Sequence, residues 1–228
     1  MGKFDKTKEQ IVETAQELVG KGYLESTGGN LSILIPDHSA FAVTPSNFDY
    51  MKMIPGDICI LDLELNKIES VSRPSVESGF HAGIYKVRPD VQAIIHTHQP
   101  FASALAVMRK PIPALFDEQV RYLGKSVEII PYAPSGTKML SRMIVKHVRN
   151  HNNAYIMANH GALCFGGSIQ EALNNVEILE KCSISYLLTL CAGEEGKKIP
   201  SLVREVAFGK LRKDQKRIER NIVLSTGE

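Results

Sequence analysis

His96 and His98 stand two residues apart where a stretch that reads as a buried strand, Val91 to Ile95, runs out. Side chains alternate with a period of two along a strand, so both imidazoles project from the same face, as two ligands of one metal ion must. Seven histidines in 228 residues would give roughly 0.2 such pairs by chance, and alone the pair reads equally well as two solvated or core-satisfied histidines. His160 shifts the balance. It ends a different strand pattern, Ala154 to Ala158, and is bracketed by Asn159 and Gly161, which permit a tight turn and close backbone approach. Three imidazoles suit zinc or a neighbouring transition metal and leave a position open for a substrate.

Glu77 is the natural fourth group. It falls in the first turn of a helix expected after Ser75, where Val76, Phe80 and Ile84 recur four apart. A carboxylate there is favoured by the helix dipole, which is also its plain structural explanation. His81, one turn on, either orients Glu77 or a ligand from behind or is an ordinary packed histidine. His38, His147 and His151 carry no assigned chemistry.

Three small-residue turns can receive an anion: Gly28-Gly29-Asn30, Ser46-Asn47, and Ser75 at a helix start. Consecutive N–H groups and helix N-termini bind phosphate without lysine or arginine, although each segment is individually explained as a turn or a cap. No Walker-type loop and no strand-linked GxGxxG is present, which disfavours a nucleotide.

The elements that must position these groups follow from periodicity. Ile11, Val12, Ala15, Leu18 and Val19 line one face of an amphipathic helix, with Thr7 and Gln10 resembling a capping box and Gly20 and Gly22 ending it. Strand patterns follow at 31–35, 40–44 and 57–63, with a turn at Asn66-Lys67 before Ile68. After the helix that Arg88-Pro89 closes, the chain alternates: strand 91–95, helix 101–108, strand 127–130, helix 137–148, strand 154–158. The longest helix starts at Ser168, whose capping box is completed by Glu171, and runs toward Cys191; another starts beside Pro200. The expected architecture is α/β, a mixed, largely antiparallel sheet covered by helices, in one domain over 1–228 with a helical C-terminal extension from about 199.

Composition excludes several classes. At 43% hydrophobic and 23% charged the chain is globular rather than disordered or fibrous. A net charge of +2, from 27 basic and 25 acidic side chains, gives no field that would recruit nucleic acid or a membrane. Cys59, Cys164, Cys182 and Cys191 are scattered and form no CxxC pair, so they read as reduced thiols. With no apolar leader in MGKFDKTKEQ and no long apolar run, a cytoplasmic location is expected. The basic run Lys210, Arg212, Lys213, Lys216, Arg217 and Arg220 is interleaved with Asp214 and Glu219 and reads as a solvated helix face.

Five motifs in order carry a resemblance: Ser-Thr-Gly-Gly-Asn-Leu-Ser at 26–32, Thr-Pro-Ser-Asn at 44–47, Arg-Pro-Ser-Val-Glu at 73–77, His-Thr-His at 96–98 and Asn-His-Gly at 159–161. Over about residues 7 to 195 the chain resembles the class II aldolase/adducin family, which includes L-fuculose-phosphate aldolase and L-ribulose-5-phosphate 4-epimerase. The resemblance implies a three-layer α/β/α fold and a homotetramer with active sites at subunit interfaces. It implies a divalent metal, normally zinc with Mn2+, Co2+ or Fe2+ as alternatives, on His96, His98 and His160. Glu77 is then the acid/base that can also occupy the metal, and Gly29, Asn30, Ser46, Asn47 and Ser75 line a phosphate pocket. The reaction implied is retro-aldol cleavage of a phosphorylated keto-sugar such as L-fuculose 1-phosphate through a metal-stabilised enediolate. Epimerase, sugar-acid phosphate decarboxylase or dehydratase chemistry, and a non-catalytic adducin-like interaction module, are the alternatives. Three departures bear on the branch. Val76 stands where the aldolase branch usually has a second phosphate-binding serine. Asp117 falls near the place of a catalytic tyrosine in the aldolase and an aspartate in the epimerase. No tyrosine follows Tyr186, whereas both branches use one from the C-terminal region of a neighbouring subunit.

Overall fold

A computed structural model describes residues 2, 4–25, 28–35 and 39–226, the side chains of 222–226 excepted. Ser26, Thr27 and His38 lie outside the described residues. The chain runs α1 (Asp5–Gly20), β1 (Asn30–Ile35), β2 (Ala40–Val43), β3 (Cys59–Asp62), β4 (Lys67–Glu69), α2 (Ser78–Val87), β5 (Ala93–Thr97), α3 (Pro100–Met108), α4 (Asp117–Tyr122), β6 (Glu128–Ile130), α5 (Lys138–His147), β7 (Ala154–Met157), β8 (Gly161–Gly166), α6 (Ile169–Cys191) and α7 (Ser201–Thr226). The strands form one eight-stranded sheet in the order β4-β3-β2-β1-β5-β8-β7-β6. Every pairing is antiparallel except β6 with β7.

Helices cover both faces, giving the expected three-layer α/β/α arrangement. One core joins Ile11 and Leu18 of α1, Leu105 of α3 and Val176 and Leu179 of α6 to Leu31 and Ile95 of the sheet. The other joins Phe80 and Ile84 of α2 and Leu140 and Ile144 of α5 to Phe41, Ile94, Tyr155 and Phe165. Ile94 and Ile95 therefore point to opposite faces, and the strand period carries His96 to the side of Ile94. There its ring meets the edge of Phe80 at 6.1 Å between centroids. β5 is central, flanked by β1 and β8, with His96 opposite Asn30 on one side and Leu163 on the other.

Several local expectations shift. α1 begins at Asp5, so Thr7 lies inside its first turn rather than capping it. α2 begins at Ser78, which places Glu77 immediately before the helix instead of within its first turn. β8 was not legible as a strand: Gly161-Ala162-Leu163-Cys164-Phe165-Gly166 is buried at all six positions, so no alternation marks it. α4 likewise carries too short a pattern to announce itself. At α6 the Ser168 hydroxyl accepts from the Glu171 N–H and the Glu171 carboxylate accepts from Gly167 N–H, one residue earlier than a standard capping box.

Two buried charged groups tie the layers. Glu180 of α6 accepts the N–H groups of Phe101 and Ala102 at 2.9 and 3.0 Å, pinning the start of α3 just after His98. Arg88, fully buried, makes a two-point ion pair with Asp90 and donates to the carbonyls of Val148 and Asn152 and to Asn153 Oδ1. Arg88→Met would leave Asp90 buried without its counter-charge, at a cost of about 3–5 kcal/mol. Denaturant unfolding should show this as a large fall in midpoint; a loss below about 1 kcal/mol would mean that Asp90 finds another partner.

Candidate metal centre and active site

The centre is assembled at the ends of neighbouring strands. His96 Nδ1 lies 2.8 Å from the Ala162 carbonyl on β8, and since a carbonyl only accepts, Nδ1 carries the proton. Complete burial pushes the His96 imidazole well below its ordinary pKa, although Glu77 pulls the other way, so the ring is neutral and Nε2 is bare. That bare nitrogen faces His98 Nε2 at 3.1 Å and Glu77 Oε2 at 3.4 Å. His160, from the turn joining β7 to β8, places its Nε2 3.4 Å from Glu77 Oε1. One ligating atom from each of the three histidines lies within 4.8 Å of the other two. His98 and His160 are only partly buried, so the cluster opens outward. Burial also lowers His98, and the neighbouring His160 adds to that.

Lone pairs that converge at such distances repel one another unless a cation or proton lies between them. The donor set, three imidazoles and a carboxylate with one ring oriented by a backbone carbonyl, fits a divalent transition metal.

Glycines admit this packing. A Cβ on Gly161 would stand 2.4 Å from the Thr97 carbonyl and 2.6 Å from the His98 ring. Gly29, at φ +80°, would meet the His96 carbonyl at 2.5 Å, and Gly28 the His98 ring at 2.8 Å. Two loops thus lie against the histidine strand more closely than any side chain would allow.

Glu77 is buried and held at both oxygens: Asn30 Nδ2 donates to Oε2 at 2.8 Å and Ser135 Oγ donates to Oε1 at 2.7 Å. Burial by itself pushes this carboxyl up. His96, Ser135, His160 and Asn30 together outweigh it, and the net shift is downward, toward the ionised form. Ser135 was not singled out from sequence; it lies in Ala133-Pro134-Ser135-Gly136-Thr137, a turn composition that marks a loop but not its neighbour.

The expected phosphate-binding residues are partly gathered. A bridge between Pro45 and Pro74 brings Ser46 beside the segment leading to Glu77, with Ser46 N–H donating to Arg73 O and Ser75 N–H to Thr44 O. Those N–H groups are occupied, and the Ser75 hydroxyl accepts from the Glu77 N–H at 3.2 Å. Asn47 sits at φ +53° in the same turn, and Gly29 O accepts from the Tyr50 hydroxyl. The Asn30 amide is engaged by Glu77 and His81. Asp117 is the first residue of α4, exposed, and lines a cleft of about 280 Å³ against Val203, Val206 and Ala207 of α7, outside the contacts of the cluster. His147 bonds the Met143 carbonyl. Asp90, His151 and Glu219 also bring ligating atoms within 4.8 Å. Both Asp90 oxygens, however, are bound by Arg88, and Arg212 and Lys216 face His151, so the local field repels a cation.

A layered α/β/α sheet thus carries, at its strand ends, three histidines and a carboxylate able to hold a divalent metal. Residues 9–187 match the Class II Aldolase and Adducin N-terminal domain, and the chain belongs to that family. It is 31% identical over 191 residues to the 5-deoxy-D-ribulose 1-phosphate aldolase of Bacillus thuringiensis serovar kurstaki, covering 84% of this chain and 89% of that one. Against the L-fuculose phosphate aldolase of Escherichia coli K12 it is 30% identical over 186 residues, 82% and 85% of the two chains. A solved structure of an L-fuculose 1-phosphate aldolase superposes with a TM-score of 0.86 at 32% identity, over 93% of this chain and 98% of that one. Among the described residues no helix is long and apolar enough to cross a membrane.

His98→Ala removes one ligand from the rim of the centre while leaving the buried His96–Ala162 contact in place. Elemental analysis should find metal lost from a protein that still melts cooperatively; unchanged metal content would defeat the assignment.

Proposed function

We propose that this chain is a metal-dependent aldolase that cleaves a phosphorylated keto-sugar, of which L-fuculose 1-phosphate is the leading candidate. The observation that supports this most is the convergence of the His96, His98 and His160 ring nitrogens on one another, with those of His96 and His160 each 3.4 Å from an oxygen of a buried, hydrogen-bonded Glu77. Zinc, or Mn2+, Co2+ or Fe2+, held by the three histidines with Glu77 as a further ligand, would supply Lewis-acid stabilisation of the negative charge that an aldol cleavage leaves beside a carbonyl.

The chain's own groups supply the rest. Glu77 takes a proton from the substrate hydroxyl and returns one to carbon, since its carboxylate is ionised and both oxygens are fixed by Asn30 and Ser135. The Ser46 and Ser75 hydroxyls, with Gly29, Asn47 and the second amide N–H of Asn30, anchor the phosphate. That binding, remote from the reacting carbons, orients the carbonyl. Burial of Phe80 and His96 behind Glu77 keeps bulk water from the inner side of the centre.

Assembly into a homotetramer with sites at subunit interfaces belongs to this reading. Asn159 N–H donates to the Ala106 carbonyl, so the end of α3 adjoins the turn carrying His160, and Val107 and Met108 there are exposed apolar side chains. A role for Asp117 in turnover requires a second copy to bring its substrate to α4. The same reading places the protein in the cytoplasm. Retention of all four centre residues disfavours the adducin-like interaction module.

Incubation of metal-loaded protein with a panel of phosphorylated ketoses and sugar acids should yield two fragments separable by mass. Isomers would replace the aldolase by an epimerase, and loss of carbon dioxide by a decarboxylase. Glu77→Gln should lower turnover by about 10²–10⁴-fold, the usual worth of a positioned acid/base. Asp117→Asn should lower turnover only if α4 serves a neighbouring site; wild-type rates would leave Asp117 as a helix N-terminal acid.

A further inference from the structure

We infer that a buried, one-directional chain of hydrogen bonds from Tyr85 through Ser32, His81 and Asn30 to Glu77 holds the Glu77 carboxylate in place, with His81 as its positioning residue. The inference rests on Glu77 being the proton carrier proposed above.

The direction follows link by link from what each atom can donate. Asn30 places its amide nitrogen, which only donates, 2.8 Å from Glu77 Oε2. The amide oxygen of Asn30 is thereby aimed at His81 Nε2, 2.5 Å away, and that nitrogen must carry a proton. His81 is fully buried, and burial lowers it to about 3 despite the opposing pull of Glu77, so the ring holds a single proton and Nδ1 is bare. Nδ1 accepts from the Ser32 hydroxyl at 2.6 Å, and Ser32 Oγ in turn accepts from the Tyr85 hydroxyl at 2.6 Å. Every proton in the series points toward Glu77.

The frame is set by two periodicities. Asn30 and Ser32 are alternate residues of β1 and share a face, while His81 and Tyr85 are one turn apart on α2. Two strand residues advance about 6.6 Å and four helical residues about 6 Å, so strand and helix donors stay in step. Phe80 stacks on His81 with ring centroids 4.5 Å apart and fixes its plane. All four residues are at most 5% exposed, so water cannot replace a missing partner. With both nitrogens committed, His81 is not a metal ligand. Because Asn30 pairs with His96 across β1 and β5, the series sets Glu77 relative to the very strand that carries the first histidine.

The test is the proton on His81. In protein labelled with 15N-histidine, long-range 1H–15N spectra at neutral pH should show His81 protonated at Nε2 and bare at Nδ1; protonation at Nδ1, or at both nitrogens, overturns the inference. A pair of variants reads the consequence. His81→Leu removes the donor that fixes the Asn30 amide and should lower kcat by about tenfold to a hundredfold, the worth of the Asn30 hydrogen bond to the Glu77 carboxylate that it positions, with KM changed less than about twofold. His81→Gln, whose amide can accept from Ser32 and donate to Asn30, should recover most of that loss. A leucine variant with wild-type kcat, or a glutamine variant no better than leucine, overturns the positioning role. If no sugar phosphate is cleaved, the proposed reaction fails, while the His81 resonances still decide the chain of bonds.

Discussion

The organising constraint of this molecule is the crowding of electron pairs at one point. Three imidazole nitrogens and a carboxylate face each other within a few ångströms, two of the nitrogens only 3.1 Å apart. Folding does not create such an arrangement without compensation: a cation or a shared proton must offset the repulsion. Much of the surrounding structure is intelligible as the means of holding those groups together: the antiparallel β5–β8 register, the glycine-lined loops, and the hydroxyl and amide donors behind Glu77.

The contrast with the Asp90, His151 and Glu219 group is instructive, because distance alone makes the two look alike. At the second group the carboxylate nearest the core is already satisfied by a guanidinium, and further basic side chains surround the imidazole. At the first, Glu77 meets two histidines, an amide and a hydroxyl, and no arginine or lysine among the described residues bonds it. The sign of the neighbouring charge, more than ligand geometry, separates a cluster able to hold a cation from a structural knot.

The three clustered histidines were legible in the sequence because their signal is local: an alternating pair on a strand and a histidine flanked by Asn159 and Gly161. The layered α/β architecture was legible for the same reason, through helix and strand periods. What escaped was set by contacts between distant segments. Ser135 lies 58 residues from Glu77 and looks like any loop serine. β8 is buried at every position, so its pattern has no polar phase by which to read it. Glu77 was placed inside the first turn of α2 rather than just before it because helix periodicity marks the apolar face and not the first helical residue. Asn30 was read as facing an anion; that its amide also spans Glu77 and His81 is set by the packing of α2 on β1, which no local pattern announces.

His96 owes its orientation to the main-chain oxygen of Ala162 rather than to a side chain. Carboxylates that aim metal-binding imidazoles in other proteins can be erased by a single codon change; a peptide carbonyl cannot. Heredity can therefore vary the lining of this pocket freely while the aim of its innermost ligand persists, so long as two strands keep their alignment. The vulnerability moves from the gene to the fold: the imidazole is unseated only when the alignment of two central strands is lost.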